Sequence, residues 1–148
     1  VSSIRVQSAF DEAAFQQALS GLCARHELLR TSFELAAARQ ALQLVHRSAA
    51  IPLRVDDWRG LGAAEQQRLL GVVLAEERSQ GFDVSVAPLL RVRLHRLAED
   101  VFQLTLADHR AVLDGWSAAV LTTELFQAIV ATSSPAASAV SVEVVSSE

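Results

Sequence analysis

One cysteine and no methionine occur among the 148 residues. A single Cys23 excludes an intrachain disulfide and fits a reducing, cytoplasmic setting. A chain that starts at Val1 without any methionine reads as a segment of a larger polypeptide. No apolar run reaches the ~18–20 residues of a membrane helix, and no signal peptide opens the chain, so no membrane partner is expected. Runs of Lys and Arg are missing and the net charge is −4, which argues against a nucleic-acid partner. There is no Gly-rich phosphate loop, and no His, Cys, Asp and Glu grouping has metal-ligand spacing, so no metal is expected.

What is present is the composition of a globular domain. About half of the residues are apolar and a fifth are charged, with both signs interspersed. This length suffices for one domain with a hydrophobic core.

Periodicity divides the chain into alternating elements. After a first strand, Phe15, Ala18, Leu19 and Leu22 have the spacing of one helical face, with Asp11 as its N-cap. In LRTSFEL, Leu29, Thr31, Phe33 and Leu35 alternate with polar neighbours, which predicts a strand with one buried face. ALQLVHR (41–47) and PLRVDDW (52–58) are two further strands. A second helix is expected over 63–80, with Leu70, Val73 and Leu74 inward and Gly81 as its C-terminal cap. LLRVRLHRL alternates strictly, with Leu90, Val92 and Leu94 opposite Arg91, Arg93 and His95. VFQLTLAD repeats the pattern through Phe102, Leu104 and Leu106. A third helix is expected from about Asp114 to Ala131.

This order predicts an α/β (α+β) fold, a mixed β-sheet covered by about three helices. Residues 1–131 form the domain. Residues 132–148, TSSPAASAVSVEVVSSE, read as a Ser/Ala/Val-rich linker or tail, with one short strand at 139–145.

The segment DHRAVLDGWS (108–117) joins a buried strand to an amphipathic helix, where side chains can project into a cleft. His109 is its acid–base candidate, because imidazole titrates near neutrality; a hydrogen-bonded structural histidine is the equal alternative. Arg110 cannot act as a base. Asp114 stands where a helix N-cap or an arginine partner would stand, and Gly115 would ease the turn into the helix. Trp116 reads as a packing anchor.

HRAVLDGWS resembles the His-His-x-x-x-Asp-Gly motif of the condensation domains of nonribosomal peptide synthetases, a motif shared with chloramphenicol acetyltransferase-like acyltransferases. RHELLRTSF (25–33) is similar to the family's Arg-His-Glu-x-Leu-Arg-Thr-x-Phe signature at every fixed position, and GFDVSVAPLLRVRLHRL resembles its segment leading into the strand before the motif. The resemblance runs to about Val130. It implies a chloramphenicol acetyltransferase-like single lobe, the N-terminal one of two that flank a channel in the family. The motif that normally opens that lobe is missing here.

The resemblance also assigns roles. The family's second His, associated with positioning and deprotonating the attacking amine, falls on Arg110. Asp114 is implied to pair with Arg30, holding the loop's architecture, and His26 to be buried and hydrogen-bonded. Adjacent residues of an extended chain point to opposite faces, so His109 should face away from Arg110, while Asp108 shares its side. The expectation is a catalytically degenerate lobe that acts as a scaffold, docking or recruitment surface in a peptide or hybrid polyketide–peptide assembly line. The alternative is an active condensation domain joining a carrier-bound acyl donor to an amine. Implied partners are carrier proteins bearing phosphopantetheine, neighbouring synthetase domains and a recruited tailoring enzyme. No cofactor is expected to bind the chain directly. Self-association would cover an apolar wall that faces the other lobe in the family.

Remaining residues have plainer readings. Cys23 behaves as a small buried hydrophobe. His46 and His95 are expected at solvated strand positions, and Arg91, Arg93 and Arg96 on a solvated face.

Overall fold

A computed structural model describes residues 1–35, 40–132 and 141–145. Its strands are β1 (Ser2–Gln7), β2 (Thr31–Glu34), β3 (Leu42–Val45), β4 (Leu53–Asp57), β5 (Leu90–Arg96), β6 (Val101–Asp108) and β7 (Ser141–Val145). Its helices are α1 (Glu12–Arg25), α2 (Ala63–Gln80) and α3 (Gly115–Thr132). The main sheet has the order β4-β5-β6-β1-β7. β4 and β5 run parallel, while the other neighbours are antiparallel, so the expected mixed sheet is present.

Each helix has local reasons to begin and end. Asp11 caps α1, its carboxylate accepting from Ala14 N at 3.0 Å. Gly81 closes α2 with φ +61°, a left-handed angle that an L side chain rarely adopts. Asp114 caps α3 by accepting from Ser117 N at 2.7 Å.

Helices α1 and α3 pack on one face of the sheet. Phe15, Leu19 and Leu22 from α1 meet Leu121, Leu125 and Ile129 from α3 over Val6, Val92, Leu94, Phe102 and Leu104 of the strands. Phe10, Phe15 and Phe102 form an aromatic group with centroids 5.4–6.1 Å apart, favourable in edge and offset geometries. Helix α2 covers the opposite face through a smaller cluster of Trp58, Leu70, Val73 and Leu74. Cys23 is 2 % exposed, its thiol raised above its ordinary pKa chiefly by burial, as expected of a small hydrophobe.

Several expectations need correction. The segment 29–35 is not one strand: Glu27–Arg30 forms a 3-10 turn that buries Leu29, and Leu35 beyond the strand is 63 % exposed. Among the described residues β2 pairs only with β3, in a separate two-stranded sheet whose β3 residues are all exposed. The short strand expected at 139–145, by contrast, is present over Ser141–Val145 and pairs with β1 at the edge of the main sheet.

The polar side of β5 is not solvated. His95 is fully buried, stacked on Trp58 at 4.0 Å and 15°. Arg91 and Arg93 both reach Glu77 of α2, itself 3 % exposed, at 2.6–2.9 Å. Arg96 lies on the other face of β5, opposite Phe102, with its guanidinium 4.9 Å from the Phe10 ring centroid and its Nε buried. Arg91 and Arg93 are covered because α2 brings a carboxylate to meet them, an event that strand alternation alone does not encode. His46 is exposed as expected, its ring hydrogen-bonded to Ser32 at 2.8 Å.

Candidate active site on the turn from β6 into α3

The chain leaves β6 at Asp108 and enters α3 at Gly115 through a tight turn. His109 N donates to Leu89 O at 3.0 Å, extending the β5–β6 ladder one step beyond the strand. His109 O then accepts from Val112 N and Leu113 N at 3.0 and 3.2 Å, and both of those side chains are buried beneath the turn. This anchoring leaves no slack for a one-residue slip.

The anchored turn sends neighbouring side chains to opposite sides. Asp108, Arg110 and Asp114 line a cleft of about 420 Å³ between β1 and α3. His109 does not line it. Its ring meets Phe82 edge-to-face, with centroids 6.2 Å apart and planes at 79°. The expected parity is therefore the observed one. The imidazole Nδ1 accepts from Ala111 N at 3.1 Å, so that lone pair is occupied and the neutral ring carries its proton on Nε2. Arg110 is exposed on the cleft wall.

Asp114 lies below its ordinary carboxyl pKa, first because Ser117 N donates to it, then through the Ser117 hydroxyl; Arg110 contributes only a weaker attraction. The expected Arg30–Asp114 pair is not formed. Arg30 instead donates from Nε to Cys23 O at 3.0 Å and from Nη1 to His46 O, tying the end of α1 to the segment after β3. Asp114 thus acts as the helix cap, the alternative that its position before α3 allowed.

Three further expectations change. Gly115 has no positive φ, and a Cβ there would meet open space, so its freedom is not what shapes the turn. Trp116 is 80 % exposed and anchors no core. Together with Leu28 and Val120 it rims a second, apolar groove of about 300 Å³ on the other flank of α3. His26 lines this groove, hydrogen-bonded to Glu124 at 2.7 Å as expected but only half-buried. The β6–α3 turn therefore brings His109, Arg110, Asp114 and Gly115 together, whereas Arg30, His26 and Trp116 belong elsewhere.

Glu77 and Phe82 support this turn without having been singled out in the sequence, together with Arg91, which was expected on a solvated face. A signal was available. Leu70, Val73, Leu74 and Glu77 share one helical stripe, so a carboxylate on the inward face of α2 should have asked for a buried cation. Among the described residues no His, Cys, Asp and Glu cluster has metal-binding geometry, and no helix is long and apolar enough to cross a membrane.

A mixed sheet with two helices on one face and one on the other, carrying a His-Arg-x-x-x-Asp-Gly turn beside a cleft, defines a single chloramphenicol acetyltransferase-like lobe. The sequence model of the condensation domain matches residues 2–136, and the chain belongs to that family. It is 32 % identical over 130 residues to malpibaldin synthetase of Mortierella alpina, and 33 % identical over 102 residues to bacitracin synthase 1 of Bacillus licheniformis. Those matches cover 88 % and 69 % of this chain, yet the chain spans only 2 % of either enzyme. Among solved structures, the SgcC5 protein from Streptomyces globisporus superimposes with a TM-score of 0.79 at 28 % identity, over 88 % of this chain and 29 % of that one. The X-domain from teicoplanin biosynthesis superimposes with a TM-score of 0.73 at 30 % identity, over 86 % of this chain and 26 % of that one.

Proposed function

We propose that this lobe belongs to a nonribosomal peptide or hybrid polyketide–peptide assembly line, where it forms no amide bonds and serves as a scaffold, docking or recruitment surface. The observation that carries this reading is the side chain on the cleft wall: a guanidinium at Arg110, with the adjacent imidazole turned to Phe82 and its Nδ1 occupied. Amide formation needs the attacking ammonium to lose a proton, and a positioned general base is typically worth ~10²–10⁴-fold in rate. Arg110 donates hydrogen bonds but accepts no proton, and its charge opposes an approaching ammonium. Asp108, Arg110, Asp114 and Gly115 thus keep the shape of the site while His109 and Arg110 no longer supply its base.

The apolar groove rimmed by Trp116, Leu28 and Val120 suits a recruitment surface, since an exposed aromatic beside apolar neighbours favours burial by a partner. A related X-domain has been solved in complex with OxyB from teicoplanin biosynthesis, and it is 30 % identical to this chain. By that likeness the partner class here is a tailoring enzyme or a neighbouring synthetase domain. Carrier proteins would present thioesters on phosphopantetheine arms if the family chemistry were retained.

Asp108 favours a second reading. It lines the same cleft as Arg110 and carries an acceptor oxygen, so an active condensation domain would use it in place of the imidazole. The two readings separate in the full parent polypeptide supplied with both carrier-bound substrates. The unaltered protein is expected to give no amide product, and Arg110→His to restore it. Robust condensation by the unaltered protein overturns the proposal.

A further inference from the structure

We infer that Glu77, Arg91 and Phe82 form a positioning relay that holds His109 on the side of the motif turn away from the Arg110 cleft, an inference that rests on reading that turn as the family's motif loop. The relay starts at a carboxylate with little freedom. Glu77 is 3 % exposed, and both of its oxygens are engaged, Oε2 by Arg91 and Oε1 by Arg93. Arg91 donates to Oε2 through Nε and Nη2 at 2.9 and 2.7 Å, which fixes its guanidinium plane. The remaining Nη1 donates to Gly81 O at 2.8 Å, at the residue whose left-handed backbone ends α2. Phe82 follows directly. Its ring lies under the same guanidinium, with Cζ 4.0 Å from the centroid, a stacked cation–π contact. The ring in turn meets His109.

One arginine therefore sets both the backbone that carries Phe82 and the plane of its ring. His109 is confined between that ring and the Ala111 N–H. Lysine at position 91 would keep the charge but lose the planar fork and the stacking. Leucine at position 82 would keep apolar bulk but remove the ring. The relay is thus specific to guanidinium and aromatic shape, beyond a general need for a buried ion pair.

Isotope-labelled chain in solution tests this through His109 itself. Overhauser contacts between the Phe82 and His109 rings are expected in the unaltered protein. Phe82→Leu should abolish the ring-current displacement of the His109 imidazole signals. Arg91→Lys should move those signals and weaken the ring–ring contacts, while backbone amide signals of Leu104 and Leu106 in the central strand stay in place. No ring–ring contact in the unaltered protein overturns the relay. So do His109 signals that ignore Phe82→Leu, or that ignore Arg91→Lys in a folded variant. Should Arg91→Lys fail to fold, Phe82→Leu alone decides. None of these readouts involves amide formation, so an unaltered protein that proves active would remove the proposed function and leave the relay standing.

Discussion

On the sheet face covered by α1 and α3, β6 presents Phe102, Leu104 and Leu106, whereas on the face covered by α2 it presents Gln103 and Thr105, and all five are at most 5 % exposed. The first face is buried by the hydrophobic effect and close packing, with no directional partners required. The second is buried by matched polar groups. Gln103 Nε2 donates to Ser3 Oγ at 2.8 Å, Ser3 Oγ lies 3.0 Å from Thr105 Oγ1, and Arg91 and Arg93 converge on Glu77. His95 is the exception. Its Nδ1 stands 3.4 Å from the Asp56 carboxylate without hydrogen-bond alignment, and neither ring nitrogen has a hydrogen-bond partner among the described residues. A buried polar face is tolerable only where each group meets its complement, so its cost concentrates wherever one is left over.

Substitution at matched depth on the two faces tests this contrast most strongly. Phe102→Ala should lower stability by roughly 3–5 kcal/mol through lost burial and a residual cavity. Glu77→Ala should cost a similar ~3–5 kcal/mol by leaving two arginines without their buried partner. Urea denaturation of both variants measures it, and a near-neutral Glu77→Ala would break the symmetry drawn between the faces.

The unmatched His95 gives the next effect. Burial lowers its pKa from 6.5 to about 4, with Asp56 opposing the change and Arg93 and Arg54 adding to it. The unfolded chain therefore binds a proton between those values that the folded chain does not. Stability from this group is complete above about 6.5 and falls with pH toward about 4. The full loss is up to about 3 kcal/mol, because each tenfold drop in proton affinity on folding is worth about 1.36 kcal/mol. His95→Phe, which keeps the stack on Trp58, should flatten the stability profile in that window. An unchanged acid limb would assign the sensitivity to other groups.

A smaller effect is expected on the motif side of α3. Asp114→Ala should cost about 1 kcal/mol, the loss of an N-cap, in place of the larger penalty that a buried pair with Arg30 would carry. A double-mutant cycle of Arg30→Ala and Asp114→Ala should show coupling below about 0.5 kcal/mol, because the two side chains serve different backbones. Larger coupling would reinstate the pair.

Period-2 and period-3.6 patterns placed α2 at its observed bounds and β4, β5 and β6 within two residues of theirs, because one face of each meets an apolar core. The same alternation put His95, Arg91 and Arg93 in solvent. Alternation reports which residues differ in polarity, and it is silent about what covers the polar side. Trp116 departs from expectation for a related reason: side-chain type suggests burial, but only neighbouring elements supply it.

The sequence by itself determined the family, the three helices and most strands, and the residues of the β6–α3 turn, because these depend on local periodicity, caps and contiguous motif residues. Which side of that turn His109 faces was legible from strand parity, given a backbone anchored at both ends. Tertiary structure decided that Glu77 meets Arg91 and Arg93, that Arg30 bonds carbonyl groups instead of Asp114, and that Trp116 stands free beside a groove. Those outcomes depend on residues far apart in the chain, whose encounter is set by how α2 and α3 dock on the sheet and not by any local pattern.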